Sequence, residues 1–388
     1  GSDLLRDLPA AVLQFERAVE ADPDFALALA HLSIESIHMY WTMDHNDARR
    51  EKAASAVQRA LELQPELPEA HLAMAWLHYQ GYLDYDAALH ELEIAERGLP
   101  GDADLLFTRS VIYTRMGKLE EALPSWERAV ELDPRNPNLL RQYASVLTRL
   151  RDYEMAEHYL DRVIEIAPDA VEAKIQKSMI PWLRDGDATP LLLAIEGNPL
   201  LRPGEALLDK WLIAIDTRDY EWALSVLAQS DAEVMEDSRL WYKPRTLLYG
   251  VTYDLAGQRA LAIEQFELAR ALLEDVLAQR PGDPRVMFTL AEALAGLEQA
   301  EAATRLVLQA IEAMPAVVGA SDATEFRKDG AIRVLARAGA VDAAIEQLDI
   351  YLAGPGFWSI EGLLPSPRLD PLRGDPRFTM LVEKYRRQ

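Results

Sequence analysis

Residues 103–136 read ADLLFTRSVIYTRMGKLEEALPSWERAVELDPRN, and this stretch decides the fold. It forms two amphipathic helices on either side of Met116-Gly117-Lys118, and Asp133-Pro134 closes the second. Gly117 suits the positive-φ residue that ends a first helix, and Pro134 cannot continue a second. Small residues, Ser110, Ala122 and Ala129, stand where two helices must touch. Large ones, Tyr113, Leu119 and Trp126, fill the space between. A lone hairpin of this kind cannot cover its own apolar face, so it must stack on a neighbour.

The neighbours are written in register. The second helix carries a small residue, a large apolar one at +4, a small one at +7 and proline at +12: Ala122, Trp126, Ala129 and Pro134. Upstream the pattern occurs at Ala11, Phe15, Ala18 and Pro23, at Ala53, Val57, Ala60 and Pro65, and at Ala88, Leu92, Ala95 and Pro100. Downstream comes Ala156, Leu160, Val163 and Pro168, so Pro100, Pro134 and Pro168 are spaced by 34 residues. The expectation is an all-α, right-handed α-solenoid of nine or ten helix-turn-helix repeats.

Beyond Pro168 the register weakens. Pro181 is expected to break or bend its helix, and the Pro/Gly-rich stretch 185–204 reads as a degenerate repeat and hinge. The pattern returns at Ala223 and Leu227, then at Ala262, Phe266 and Ala269, at Ala303, Val307 and Ala310, and at Ala344, Leu348 and Tyr351. An acidic loop is expected at 230–238, and loops at 40–48 and 319–324. The expected organisation is a sub-array over 1–184, the hinge over 185–204, a second sub-array over 205–353 and a C-terminal cap over 354–388.

Composition removes several functions. Lys+Arg is 40 against 64 Asp+Glu, a net charge of −24. Such a chain lacks the basic face that grips phosphates, so nucleic acid is not an expected partner of this segment. There is no cysteine, which excludes disulfides, thiolate metal sites and a thiol nucleophile. Zero cysteine fits cytoplasm and periplasm alike; cytoplasm is favoured. No apolar run approaches the ~20 residues of a membrane span, and no signal peptide is recognisable. Gly1-Ser2 reads as a cloning scar, and the chain enters a second-type helix at once, as a piece of a longer protein would.

Catalytic and metal patterns are weak. His31, His38 and His45 are spaced by seven, as are His71 and His78. At 1.5 Å per residue such pairs lie ~10.5 Å apart, too far to share one ion. Gly117-Lys118 lacks the upstream glycine of a phosphate-binding loop, GxSxG is absent, and Glu120-Glu121 reads as solvating charge. No catalytic residue, cofactor or metal is expected, and the segment reads as non-enzymatic.

The period and the Ala/large/Ala/Pro signature resemble tetratricopeptide repeats over nearly the whole chain. The tail Arg-Leu-Asp-Pro-Leu-Arg-Gly-Asp-Pro-Arg-Phe (368–378), with Asp-Ala-Ala-Ile-Glu-Gln-Leu (342–348), Glu-Ala-His-Leu-Ala-Met-Ala-Trp (69–76) and Asp-Tyr-Asp-Ala-Ala-Leu (84–89), also resembles a group of bacterial modular signalling proteins. There a repeat region follows a winged-helix domain, a Ser/Thr kinase or a class III nucleotidyl cyclase, often with a TolB-like segment. The resemblance implies a regulatory or partner-binding half of such a protein. By the same resemblance, the first helices line a concave groove. One repeat type grips a C-terminal carboxylate there with Lys, Asn and Arg. This chain has Leu72 and Trp76, Phe107 and Val111, and Arg141 and Ser145 at the matching positions; Arg141 alone fits, so that clamp is not expected.

Leu72, Trp76 and Tyr79 fall at i, i+4 and i+7, and Phe107 and Val111 continue the stripe, with Ile34, Ile37, Ile175, Met179 and Trp182 at equivalent places. Two readings stand: the stripe is buried between adjacent first helices, or it is an apolar groove for an extended or helical peptide. The expected function is protein–protein interaction through that groove, with a peptide or an effector domain of the same protein as partner. The alternative is a ligand-sensing domain that binds a small apolar effector in the same groove. Self-association through the uncapped first helix is a further expectation.

Overall fold

A computed structural model describes residues 2–44, 46–196, 207–236, 241–317 and 321–386. The chain is helical hairpin after helical hairpin. A leading helix, α1 (Ser2–Ala21), precedes α2 (Ala26–Met39) and α3 (Asp47–Leu63), α4 (Pro68–Trp76) and α5 (Tyr85–Gly98), α6 (Ala103–Arg115) and α7 (Leu119–Leu132), and α8 (Pro137–Arg149) and α9 (Tyr153–Ile166). Then come α10 (Val171–Asp185) and α11 (Thr189–Glu196), α12 (Leu207–Asp216) and α13 (Tyr220–Leu227), α14 (Arg245–Leu255) and α15 (Arg259–Gln279), α16 (Pro284–Gly296) and α17 (Ala300–Val317), and α18 (Ser321–Arg337) and α19 (Val341–Ala353). The tail forms α20 (Ile360–Leu363), a 3-10 turn at Pro367–Leu372 and α21 (Pro376–Arg386). That makes nine hairpins among the described residues.

Aspartate and asparagine start many of these helices by accepting hydrogen bonds from otherwise unpaired backbone N–H groups. Asn46 caps α3 through Ala48 N at 2.9 Å, Asp84 caps α5 through Ala87 N at 3.0 Å, and Asp102 caps α6 through Asp104 N and Leu105 N, both at 3.0 Å. The second-helix slots hold the core: Ala122, Trp126, Ala129, Ala262, Phe266 and Ala269 are all buried. Phe266 enters between Gly250 and Gly296, where a Cβ on either glycine would overlap its ring.

The chain forms two compact units, Gly1–Tyr143 with Asp161–Glu172, and Ala144–Leu160 with Ala173–Gln388. In the first, an aromatic ladder joins successive repeats: Trp76 packs 6.3 Å from Phe107, Phe107 lies edge-on to Trp126 at 5.6 Å, and Trp126 stacks on Tyr143 at 6.1 Å. Trp126 also donates to Thr114 Oγ1 at 3.1 Å, which supplies the partner a buried indole N–H needs.

In the second unit the tail returns to the start of the unit. Arg151 occupies the turn between α8 and α9 at φ 61°, a conformation that glycine adopts at the equivalent Gly117 (φ 75°). Its guanidinium donates to four carbonyls: Trp358 at 2.8 Å, Gly354 at 2.9 Å, and Leu352 and Tyr351 at 3.1 Å. Tyr153 donates to the Phe357 carbonyl at 2.8 Å, Gly356 N to that of Arg149 at 2.7 Å, and Ser359 N to that of Leu183 at 3.1 Å. Gly362 lies so close to the Leu183 carbonyl that a Cβ would overlap it. The tail 354–386 therefore touches α8, α9 and α10 as well as α19.

Several local expectations change. Pro181 does not end its helix, since α10 runs on to Asp185. The expected loop at 40–48 is mostly helix, because α2 continues as a π-helical turn, Tyr40–Asp44, and α3 starts at Asp47, with residue 45 outside the described residues; α4 continues in the same way at Leu77–Tyr82. Within 230–238, Val234–Glu236 forms a strand antiparallel to Tyr242–Pro244, with Met235 opposite Lys243. Residues 197–204 of the expected hinge, 237–238 of the acidic loop and 319–320 of the last loop lie outside the described residues.

Candidate functional site

The predicted stripe is mostly core. Leu72, Trp76, Tyr79 and Val111 are 7%, 7%, 1% and 6% exposed. The solvent-facing form of the stripe is thereby corrected. The cause is lateral packing: Trp76 lies edge-on to His38 at 4.5 Å and tilted against Tyr79 at 5.6 Å, and Arg115 Nε donates to the Tyr79 hydroxyl at 3.1 Å. Burial pushes His38 down to about 4, so its ring is neutral near pH 7. Three of the predicted residues, Phe107, Arg141 and Ser145, remain half-buried. Burial lowers the Arg141 guanidinium from its ordinary range, with Glu172 opposing the shift.

Phe107 opens on a hollow of about 90 Å³ in the first unit, whose other walls include Asp104, Asp133, Asn136 and Asn138. Asn136 is committed to capping α8, accepting from Asn138 N and Leu139 N at 3.1 Å, and it donates to Asp133 at 3.0 Å. Asp102 is committed to α6. No ion pair holds the Asp104 carboxylate among the described residues. Its partial burial, and then Asp102 and Asp133 nearby, push its carboxyl up from the usual range. The hollow is acidic, with one aromatic wall.

The second unit contains a polar network that the sequence did not announce. Glu292, the one acid on the largely apolar α16, is bound by Lys243 at 2.6 Å and Arg368 at 3.0 Å. Burial alone would raise its carboxyl, but Lys243 and Arg368 outweigh burial and bring it down to about 2. Arg333 pairs with Asp329 at 2.9 Å, both under a tenth exposed. Arg368 lies over the Trp211 ring at 5.8 Å. Asp216 faces this network from α12; burial raises its carboxyl, and Arg333 and Arg368 oppose the rise. The charged residues of the 368–378 motif are internal staples: Asp370 pairs with Arg218 at 2.8 Å and Arg373 at 2.7 Å.

Beside the network lies a cavity of about 300 Å³. First helices α12, α14, α16 and α18 supply most of its walls, with Met179, Trp241, Lys243 and Arg368. Its volume is at the lower end of ligand pockets, about 300–1,000 Å³. Of its residues, Met179 and, within the tail motif, Arg368 stood out in the sequence. Two signals were present: the lone acid Glu292 in Val-Met-Phe-Thr-Leu-Ala-Glu-Ala-Leu-Ala (286–295), and the i, i+4 pair Asp329 and Arg333.

Among the described residues, no group of three His, Asp or Glu side chains could hold a metal ion, and no helix is long and apolar enough to cross a membrane. Residues 113–177 and 260–317 match the tetratricopeptide repeat family model. The chain is 24% identical over 208 residues to anaphase-promoting complex subunit 3 of Schizosaccharomyces pombe, covering 49% of this chain and 30% of that protein. It is 29% identical over 109 residues to an N-terminal acetyltransferase A complex subunit-like protein of the same yeast, covering 28% of this chain and 16% of that protein. The chain thus spans less than a third of either relative. A thermophilic tetratricopeptide-repeat protein of Thermus thermophilus superposes with TM-score 0.39 and 20% identity, over 49% of this chain and 93% of that one. The chain is an all-α solenoid that carries tetratricopeptide repeats.

Proposed function

We propose that the chain is a non-catalytic protein-interaction scaffold whose first unit takes a peptide or helix on its first-helix face, with a basic side chain of the partner seated in the hollow beside Phe107. Repeat arrays of this kind present extended surfaces for protein and peptide partners. The observation that carries the reading is Asp104, a carboxylate without an ion pair at the rim of a hollow walled by a half-exposed aromatic ring. A Lys or Arg entering there gains an ion pair and a cation–π contact together. Leu72, Trp76, Tyr79 and Val111 then act as the rigid floor beneath Phe107, and Arg141 flanks it. The tail motif at 368–378 supports placing the chain in the regulatory half of a bacterial signalling protein, its partner being an effector domain of that protein.

A peptide-display selection tests this. Wild-type protein should enrich sequences containing Lys or Arg, and the selected peptides should lose affinity for Asp104→Lys and Phe107→Ser while both variants keep the wild-type melting temperature. Selection of acidic peptides, or peptides indifferent to Asp104→Lys, removes the hollow as the site.

A further inference from the structure

The cavity of the second unit has its own chemistry, independent of the hollow in the first. Its basic lining residues are already matched by acids: Lys243 and Arg368 by Glu292, Arg333 by Asp329, and Arg285 by Asp283 at 2.6 Å. An anionic ligand would compete with those pairs. Asp209 is the exception. It lines the cavity from α12, and no ion pair or hydrogen bond holds its carboxylate among the described residues. The aromatic wall is rigid, because Trp211 donates to Thr252 Oγ1 at 2.9 Å and is 2% exposed. That wall already accommodates one cation, since the Arg368 guanidinium rests on the Trp211 ring.

We propose that this cavity binds an organic ammonium ion with an apolar body, its nitrogen at Asp209 and its body among Trp211, Trp241 and Phe288. Leu208, Leu212 and Leu248 complete an apolar enclosure, as ligand pockets with few polar anchors have. An ammonium supplies the counter-charge that Asp209 lacks and gains from aromatic faces. A half-buried carboxylate without a partner bears part of the cost of leaving water, and that desolvation pushes the Asp209 carboxyl up to about 6. A cation that offsets this cost explains why an acid stands at this position. The same ammonium could come from a free amine or from a lysine side chain of another protein, and the probes distinguish the two.

Calorimetric titration with phenethylamine, 2-phenylethanol and 3-phenylpropionate compares one body with three head groups. The amine should bind roughly tenfold or more tightly than the alcohol or the acid, a margin that one ion pair out of water readily provides. Asp209→Asn should erase that preference and Asp209→Glu should retain it. If Asp209→Asn fails to fold, Leu212→Trp, which fills the cavity, should abolish amine binding. Competition by Nα-acetyl-lysine N-methylamide, whose side-chain ammonium is free, assigns the site to a protein lysine, and its failure to compete assigns it to a free amine. The proposal is overturned if the acid binds as well as the amine, if Asp209→Asn keeps the preference, or if phenethylamine does not bind.

Discussion

Arg151 offers the sharpest test of how the second unit is closed. Its backbone sits at φ 61° where the repeat 34 residues earlier uses Gly117. A left-handed non-glycine residue costs about 1–2 kcal/mol. The structure offsets that strain with four hydrogen bonds from one guanidinium to the carbonyls of Tyr351, Leu352, Gly354 and Trp358. Charge-assisted bonds contribute about 1.5–3 kcal/mol each when isolated. Four that share one half-exposed cation do not add, and some of the released carbonyls can turn to water. Arg151→Ala should therefore cost about 3–4 kcal/mol. Arg151→Gly removes the same clasp but relieves the strained backbone, so it should be less damaging by about 1 kcal/mol. Arg151→Lys keeps the charge without the planar fork and should fall between wild type and Arg151→Gly.

Urea unfolding gives the order, and hydrogen exchange gives the place. The amides of Gly356 and Ser359, which donate to Arg149 and Leu183, should lose protection in Arg151→Ala. Those of α2 to α5 should not, because coupling in repeat arrays is between neighbours. If Arg151→Gly is more stable than wild type, the clasp contributes less than the backbone strain it is meant to offset. If exchange at Gly356 and Ser359 is unchanged, the tail is held by something else.

Other consequences are simpler to check. Trp126→Ala removes a ring that is 1% exposed and packed between Phe107 and Tyr143, so denaturation should show a loss of about 3–5 kcal/mol. Trp76→Asp puts an unpaired carboxylate against His38 and Tyr79; an early melt, by several kcal/mol, agrees with burial, whereas normal melting means that the ring faces solvent. Glu292→Ala leaves Lys243 and Arg368 without their acid and should cost about 3–5 kcal/mol. The carboxyl of Glu292 is depressed from 4.5 to about 2 in the folded chain, so its contribution is present above pH 4.5 and is lost as pH falls toward 2; acid unfolding of the Gln variant should lack that component. Asp209 has the opposite sign. Its carboxyl is raised from 3.8 to about 6, so its cost grows as pH rises through that window, and Asp209→Asn should stabilise by about 1–2 kcal/mol at pH 7 and be neutral at pH 3, as thermal melts can show.

How much of this was legible follows from which forces leave a periodic trace. Ala122, Trp126 and Ala129 are readable because two helices must touch at fixed intervals, and the slots recur at Ala262, Phe266 and Ala269 with the same burial. Leu72, Trp76 and Tyr79 also show a period, but a period reports a shared face and not what covers it. Side chains of neighbouring first helices, His38, Phe107 and Arg115 among them, and not solvent, cover that face. Arg151 left a trace that is plain afterwards: Leu-Arg-Asp-Tyr (150–153) and Thr-Arg-Asp-Tyr (217–220) place arginine where Gly117 and Gly257 stand in other turns. Both arginines adopt positive φ, and both reach the tail, at the carbonyls of 351–358 and at Asp370.

The cavity left only the two local traces at Glu292 and at Asp329 and Arg333, because its residues are spread along the chain from Met179 to Arg368. Asp209 and Arg368 are near one another only because a tail clasped by Arg151 and Arg218 runs back beneath first helices that the repeat period places side by side. The clasp and the cavity are therefore one design at two scales. Each αL arginine accepts a strained backbone in the turn, and in return the tail brings Arg368 onto Trp211 and Glu292. That contact engages the cations of the wall and leaves Asp209 as the acid still open to a ligand. Loosening the tail should consequently weaken binding in the cavity without any change to its lining. Arg151→Ala should lower phenethylamine affinity, whereas Trp126→Ala, in the other unit, should leave it unchanged. Equal loss in both variants would mean that affinity follows global stability, and the link from clasp to cavity would be wrong.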